Sequence, residues 1–266
     1  MLKFNISEIK NDSIVILGRK KSGKSFLCQD ILFHRKNDLP VGTVISYTDG
    51  ITPFYSKILP SLFIYEEYSA PLMDRVLKRQ EMTIKQINKD IDTRGKTSID
   101  PRAFLILDDC LYNESWQELT DMSSAIVSSH HLRLLTILIM SYIMDIPPKL
   151  RTNIDYVFIL KENNVNNRRK IYDNYANIFA TFDEFCQVMD ACTDDYECIV
   201  INNNTQSNKI TDQVFWYKAR DHPDFKIGDP EFWEMHNRNF NNKESEEEYT
   251  LARRPRSKPV QVRKLN

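Results

Sequence analysis

The apolar run Ile14-Val15-Ile16-Leu17 leads straight into Gly18-Arg19-Lys20-Lys21-Ser22-Gly23-Lys24-Ser25, and the residues that follow, Phe26 to Leu32, place their apolar positions with helical period. This is the GxxxxGK[ST] loop in the strand–loop–helix setting that it requires, and such a unit belongs to an α/β sheet. The glycines let the backbone curl until consecutive N–H groups of Gly18, Arg19, Lys20, Lys21, Ser22 and Gly23 face one point. The positive end of the following helix adds to that cradle. Lys24 is expected to reach the β- and γ-phosphates of a bound nucleotide and the Ser25 hydroxyl to ligate Mg²⁺. The loop alone leaves open which nucleotide binds and what its hydrolysis drives.

The rest of the chain fits that unit. The first 220 residues or so alternate strand-like runs with amphipathic helical segments, the pattern of βαβ units and a mostly parallel sheet flanked by helices. Expected strands after Ile14–Leu17 are Gly42–Tyr47, Leu62–Tyr65, Phe104–Leu107, Leu134–Met140 and Tyr156–Leu160, with a late hairpin of Cys198–Ile201 and Val214–Tyr217 closing the sheet. Expected helices include a long charged one from about Ala70 to Asp90 and another through Arg168–Tyr175, while Asp92–Asp100 reads as a mobile polar loop. From about Asn237 the character changes. Glu244–Glu248 is acidic, and Arg253, Arg254, Arg256, Lys258, Arg263 and Lys264 follow with prolines and few apolar residues. The expected organisation is thus one α/β domain over residues 1–236 and a disordered charged tail over 237–266.

Composition narrows the class. With 36 basic and 37 acidic side chains among 266 residues, the chain is not a globally basic nucleic-acid binder, although a local basic patch is allowed. No apolar stretch approaches the roughly 18–20 residues that span a bilayer, and Met1-Leu2-Lys3-Phe4-Asn5 lacks the apolar core of a signal peptide. The five cysteines contain no CxxC pair and read as reduced thiols of an intracellular protein. The adjacent His130 and His131 cannot both face one metal from a strand or a helix, so no zinc site is expected.

A second site follows Phe104-Leu105-Ile106-Leu107, an apolar strand ending in Asp108-Asp109. Strand carboxyl ends collect at one sheet edge, which would bring Asp108 beside Ser25 to bind Mg²⁺, directly or through water. Asp109 would then orient or deprotonate the attacking water. The bland reading is a strand that ends on an N-capping aspartate. Ser141, ending the Leu134–Met140 strand, is either a turn residue or a group that senses the γ-phosphate. Arg151, just before an apolar strand, is either a solvated flank or an arginine finger presented to a neighbour's γ-phosphate; Arg133 is a second candidate. Arg168-Arg169-Lys170 either touches DNA phosphates or caps a helix. Asn88-Lys89-Asp90 is a near miss to the guanine-reading Asn-Lys-x-Asp, with Ile91 where the acid should stand.

Taken together, Ile16–Ser25, Leu105-Ile106-Leu107-Asp108-Asp109-Cys110-Leu111, His131-Leu132-Arg133 before Thr136–Tyr142, Ile146-Pro147-Pro148-Lys149-Leu150-Arg151-Thr152-Asn153-Ile154-Asp155-Tyr156-Val157-Phe158 and Asn167-Arg168-Arg169-Lys170 resemble the DNA-packaging ATPases of nucleocytoplasmic large DNA viruses. These form the poxvirus-type branch of the FtsK–HerA superfamily, and the resemblance covers roughly residues 10 to 220. It implies a RecA-like P-loop fold and an ATP- and Mg²⁺-dependent motor. Such a motor acts as a homo-oligomeric ring and moves viral double-stranded DNA into a capsid, with a capsid or portal component as partner. The implied setting is the infected host cell, in the cytoplasmic virus factory or with the virion. Lys24 and Ser25 would be the phosphate and Mg²⁺ contacts, Asp108 the metal-side acid and Asp109 the catalytic acid. Two departures stand out. Ser141 occupies a position where the family usually has glutamine, and Ser129-His130-His131 replaces a Gly-Arg-His, which leaves Arg151 as the candidate finger. A nucleoside or nucleotide kinase and a GTP-binding switch are the alternative readings.

Overall fold

The computed structural model describes residues 1–110, 120–141 and 146–239, with only the backbone for 120–122. Within them nine strands form one sheet: β1 (Leu2–Lys3), β2 (Ser13–Leu17), β3 (Val41–Ser46), β4 (Ile64–Tyr65), β5 (Ala103–Asp108), β6 (Leu134–Met140), β7 (Tyr156–Ile159), β8 (Glu197–Asn202) and β9 (Val214–Lys218). Their spatial order is β1-β9-β8-β7-β2-β6-β5-β3-β4. Neighbours run parallel except at β8, which opposes both β7 and β9. The helices are α1 (Lys24–Arg35), α2 (Ala70–Arg94), α3 (Thr120–Ser128), α4 (Pro148–Arg151), α5 (Val165–Tyr175), α6 (Phe182–Cys192) and α7 over 230–239.

The central strands are buried on both faces, which is why they read as unbroken apolar runs rather than alternating ones. Alternate residues feed two cores. Val15, Leu17, Leu105, Leu107, Leu138 and Met140 pack against Met73 of α2, Ile126 of α3, Ile171 of α5 and Phe185 of α6. Ile14, Ile16, Phe104, Ile106, Ile137 and Ile139 pack on the other side against Leu27 and Ile31 of α1, with Phe4, Leu59 and Ile227. The parallel run of β7, β2, β6, β5 and β3 places their carboxyl ends on one edge. The register makes this concrete: Leu17 pairs with Met140 and Ile159, and Asp108 with Ile139 and Ser46.

Several expectations shift. The long helix runs on through Arg94 instead of ending near Asp90, because Gly95 (φ 69°) supplies the left-handed residue that closes it, its N–H donating to Ile91 O at 2.8 Å. The polar stretch beyond is tied down, with Arg102 bridging Asp100 and Asp38 at 2.6 and 2.7 Å. The run at Leu62–Tyr65 is a strand only at Ile64–Tyr65, since Ser61–Phe63 forms a 3₁₀ turn. The late hairpin forms as expected, but β1 extends the sheet beyond β9. The expected boundary between 236 and 237 falls inside α7, and residues 240–266, which hold the charged tail, lie outside the described residues.

Candidate active site

Gly18 leaves the end of β2, and its N–H bonds to Met140 O at 3.3 Å, which pins the loop entrance to β6. No side chain larger than hydrogen fits there: a Cβ would stand 2.6 Å from Ser22 Oγ and 3.0 Å from Leu160 Cβ. Lys21 (φ 64°) and Gly23 (φ 101°) both adopt left-handed backbone, which turns the loop inward, and Gly23 is the N-cap of α1. Arg19, Lys20 and Lys21 are exposed, whereas Ser22 and Lys24 are buried. The Lys24 ammonium donates to Gly18 O (2.9 Å) and Arg19 O (3.1 Å), so its charge stands within the loop's own concavity. Burial lowers its pKa, while Asp109 and Asp108 oppose that shift.

The sheet edge delivers the carboxylates. Asp108 ends β5 and is buried; burial pushes it up to about 6, against hydrogen bonds from Tyr55 and Ser25. Tyr55 OH donates to Asp108 Oδ2 at 2.7 Å. Tyr55 is itself placed by Asp49, whose Oδ1 accepts the backbone N–H groups of Phe54 (2.8 Å) and Tyr55 (2.6 Å). Asp109 leaves the strand with φ 48°, its N–H on Ile139 O at 3.1 Å, and its carboxylate accepts from both the N–H and the hydroxyl of Ser141. Lys24, Ser25, Asp108, Asp109 and Ser141 therefore meet at one edge.

The residues fit a Mg²⁺-nucleotide. A loop turned inward at Lys21 and Gly23 onto the α1 N-terminus, a buried ammonium and a buried carboxylate facing the Ser25 hydroxyl are the donor set for phosphate and a hard cation, although the Gly18 and Ser22 N–H groups bond to Met140 O and Arg19 O.

The arginine candidates stand elsewhere. Arg151 ends α4, ahead of the amino end of β7, and Asp155 N bonds to Ser13 O at the start of β2. That is the sheet edge opposite the phosphate loop. Arg151 Nη1 donates to Asn174 O at 3.3 Å beside a cleft of about 460 Å³ that Tyr175 and Asn203 also line. Arg133 (φ 53°) immediately precedes β6 at the same far edge. Arg168 bonds Asp190 at 2.6 Å and the Arg169 guanidinium lies 3.7 Å over the Phe182 ring, so both join α5 to α6. Asn88-Lys89-Asp90 lies within α2, away from any strand end.

Two residues escaped the sequence reading. Tyr55 supports Asp108 from the segment between β3 and β4. Tyr196, at φ 62°, leans its ring on the loop, so that a Cβ on Gly23 would meet Tyr196 Cδ1 at 2.9 Å.

No protein-family model matches the sequence. It is 36% identical over 91% of its length to uncharacterized protein L437 of Acanthamoeba polyphaga mimivirus, covering 84% of that protein. It is 34% identical to uncharacterized protein 075L of Invertebrate iridescent virus 6, over 91% of each chain. Among solved structures, the genome packaging NTPase B204 of Sulfolobus turreted icosahedral virus 2, in complex with ATPγS, superposes with a TM-score of 0.52 at 17% identity, over 79% of this chain and 98% of that one. ATPases 2 and 3 of EssC from Geobacillus thermodenitrificans give a TM-score of 0.54 at 13% identity, over 90% of this chain and 45% of that one. At these identities the likeness is one of fold. No helix among the described residues is long and apolar enough to cross a membrane.

Proposed function

The chain belongs to a protein family of nucleocytoplasmic large DNA viruses with the P-loop ATPase fold of the FtsK–HerA type, and from that premise we propose that it is an ATP-hydrolysing motor that packages viral double-stranded DNA. One observation carries the reading: Lys24, Asp108 and the Ser141-held Asp109 share a sheet edge, while Arg151 stands at the opposite edge. A hydrolase needs the first three in one site. An arginine on the far side is placed to serve a neighbour's site rather than its own, which supports reading the catalytic unit as an interface within a homo-oligomeric ring.

In this mechanism the phosphate loop and Lys24 would hold the β- and γ-phosphates, and Ser25 with Asp108 would hold a Mg²⁺ ion that supplies positive charge against them. Asp109 orients the attacking water and accepts its proton. Arg151 of an adjacent subunit stabilises the charge on the transferred phosphoryl group. DNA is gripped through its phosphates with little sequence readout. A capsid or portal component is the docking partner, and the setting is the virus factory of an infected cell.

The test is phosphate release with and without double-stranded DNA. Wild type should turn over without an added acceptor, which separates it from a kinase, and should be stimulated by DNA. Lys24→Ala and Asp109→Asn should both lose nearly all turnover. DNA binding should weaken steeply as salt rises. DNA-independent turnover would leave an ATPase without a DNA motor. Acceptor-dependent phosphate transfer would remove the motor altogether.

A further inference from the structure

At the far end of the helix that the phosphate loop opens, three side chains with metal-ligand atoms converge. Asp30 and His34 lie one turn apart on α1, and His222 comes from the segment after β9. One ligand atom from each of Asp30, His34 and His222 lies within 4.8 Å of the other two. His34 Nε2 stands 3.5 Å from Asp30 Oδ1, and His222 Nε2 hydrogen-bonds to that same oxygen. Asp30 is fully buried, at 0% exposure, and among the described residues no lysine or arginine pairs with it. A carboxylate buried this deeply needs polar partners, and here two imidazoles converge on one of its oxygens.

The surroundings orient these ligands. Tyr217 OH donates to the other carboxylate oxygen, Oδ2, at 2.6 Å, which leaves Oδ1 turned to the two imidazoles. The His222 ring stacks on Phe33, with centroids 3.7 Å apart and planes within 9°. The His34 ring stands at 86° to it, 5.6 Å between centroids. Two crossed imidazoles and one carboxylate oxygen, with the other oxygen held by Tyr217, match the N/O donor set of a tetrahedral site. Magnesium and calcium, which take oxygen ligands, fit it poorly.

We propose that Asp30, His34 and His222 bind one divalent transition-metal ion of the Zn²⁺ class, with water in the fourth position. The ion fastens the segment around His222 onto α1. A second cluster, Asp12, His130 and Asp155, also meets the distance criterion. It offers a single imidazole, whose side chain is 56% exposed, against two in the first cluster. It serves as the control.

The test uses the full chain, stripped with a chelator and titrated with Co²⁺ and then Zn²⁺ without nucleotide. The proposal expects one equivalent of Co²⁺ with visible d–d absorption and no thiolate charge-transfer band, displaced by Zn²⁺. It also expects a higher melting temperature with Zn²⁺ than without. His34→Gln and His222→Gln should each weaken Co²⁺ binding on the order of 100-fold while His130→Gln leaves it intact, and Tyr217→Phe should weaken it about tenfold. If a glutamine variant loses its fold by circular dichroism, Tyr217→Phe, which keeps every ligand, carries the comparison. The proposal is overturned by no uptake in wild type, by a thiolate band, by equal binding in all variants, or by loss in His130→Gln alone.

Discussion

Ser141 gives the Asp109 carboxylate two hydrogen bonds, its backbone N–H reaching Oδ1 at 2.5 Å and its hydroxyl reaching Oδ2. The contact spans the ends of two adjacent strands, β5 and β6, and is possible because Asp109 turns out of its strand in left-handed backbone. In this arrangement the serine acts on the acid rather than on the phosphate. It fixes the orientation of the group proposed to align water, and it keeps that group's charge hydrogen-bonded beside Lys24.

Ser141→Ala therefore should slow turnover without weakening nucleotide binding. Losing a hydroxyl donor to a carboxylate costs about 1.5 kcal/mol, or roughly tenfold in kcat, while KM stays within about twofold. Ser141→Thr, which keeps the hydroxyl, should recover most of it. Steady-state phosphate release over a range of ATP concentrations reads both parameters. An unchanged kcat in Ser141→Ala would count against the positioning role.

Tyr55→Phe tests the metal-side acid. The Tyr55 hydroxyl lowers the pKa of Asp108, which burial has pushed up to about 6. Removing it should raise that pKa further, so more of the carboxylate is protonated at a given pH and less is available to Mg²⁺. The Mg²⁺ concentration for half-maximal activity should rise about tenfold. Activity should fall as pH drops through the Asp108 pKa, and in the variant that fall should begin at higher pH. Superimposable pH and Mg²⁺ profiles for the two proteins would show that Tyr55 only packs.

Much of this was legible in the sequence where function and structure are contiguous. The phosphate loop, and Asp108-Asp109 after Phe104–Leu107, announce themselves because a buried parallel strand is an unbroken apolar run and its carboxyl end carries the chemistry. Tyr55 gave no such signal, since it reaches Asp108 through the Asp49 turn, a contact with no periodicity behind it. α6 could have been found: Thr181 and Glu184 have the spacing of a capping box, and Thr181 Oγ1 does accept from Glu184 N at 3.1 Å. The far-edge position of Arg151 was legible too, since it precedes β7, and the parallel pairing of β7 with β2 puts that amino end opposite the phosphate loop.

Gly23→Ala should damage the loop for two separable reasons. Its φ of 101° is costly for any residue with a Cβ, and the added methyl would meet the Tyr196 ring at 2.9 Å. The strain is worth about 1–3 kcal/mol, seen as a lower melting temperature and weaker binding of an ATP analogue. Adding Tyr196→Ala removes the clash but not the backbone strain, so the double variant should recover only part of the loss. Full recovery would mean that the glycine serves only to admit the tyrosine.

Arg151 provides the sharpest test of assembly. Arg151→Ala should still bind an ATP analogue, because the guanidinium lies at the edge opposite the phosphate loop, yet lose about 1,000-fold in turnover if it completes a neighbour's site. Loss of packing is the competing explanation, since Arg151 also holds Asn174 O; an unchanged melting temperature separates the two. The decisive measurement mixes Arg151→Ala with Asp109→Asn under conditions where subunits exchange. Each protein alone is inactive. In an equal mixture, about one interface in four pairs an intact Asp109 with an intact Arg151 from the adjacent chain, so activity should return to about a quarter of wild type. An arginine acting within its own subunit predicts no recovery, because no chain in the mixture carries both residues. Absence of recovery in mixed, folded assemblies would therefore remove the shared site and, with it, the reason to read Arg151 as a finger.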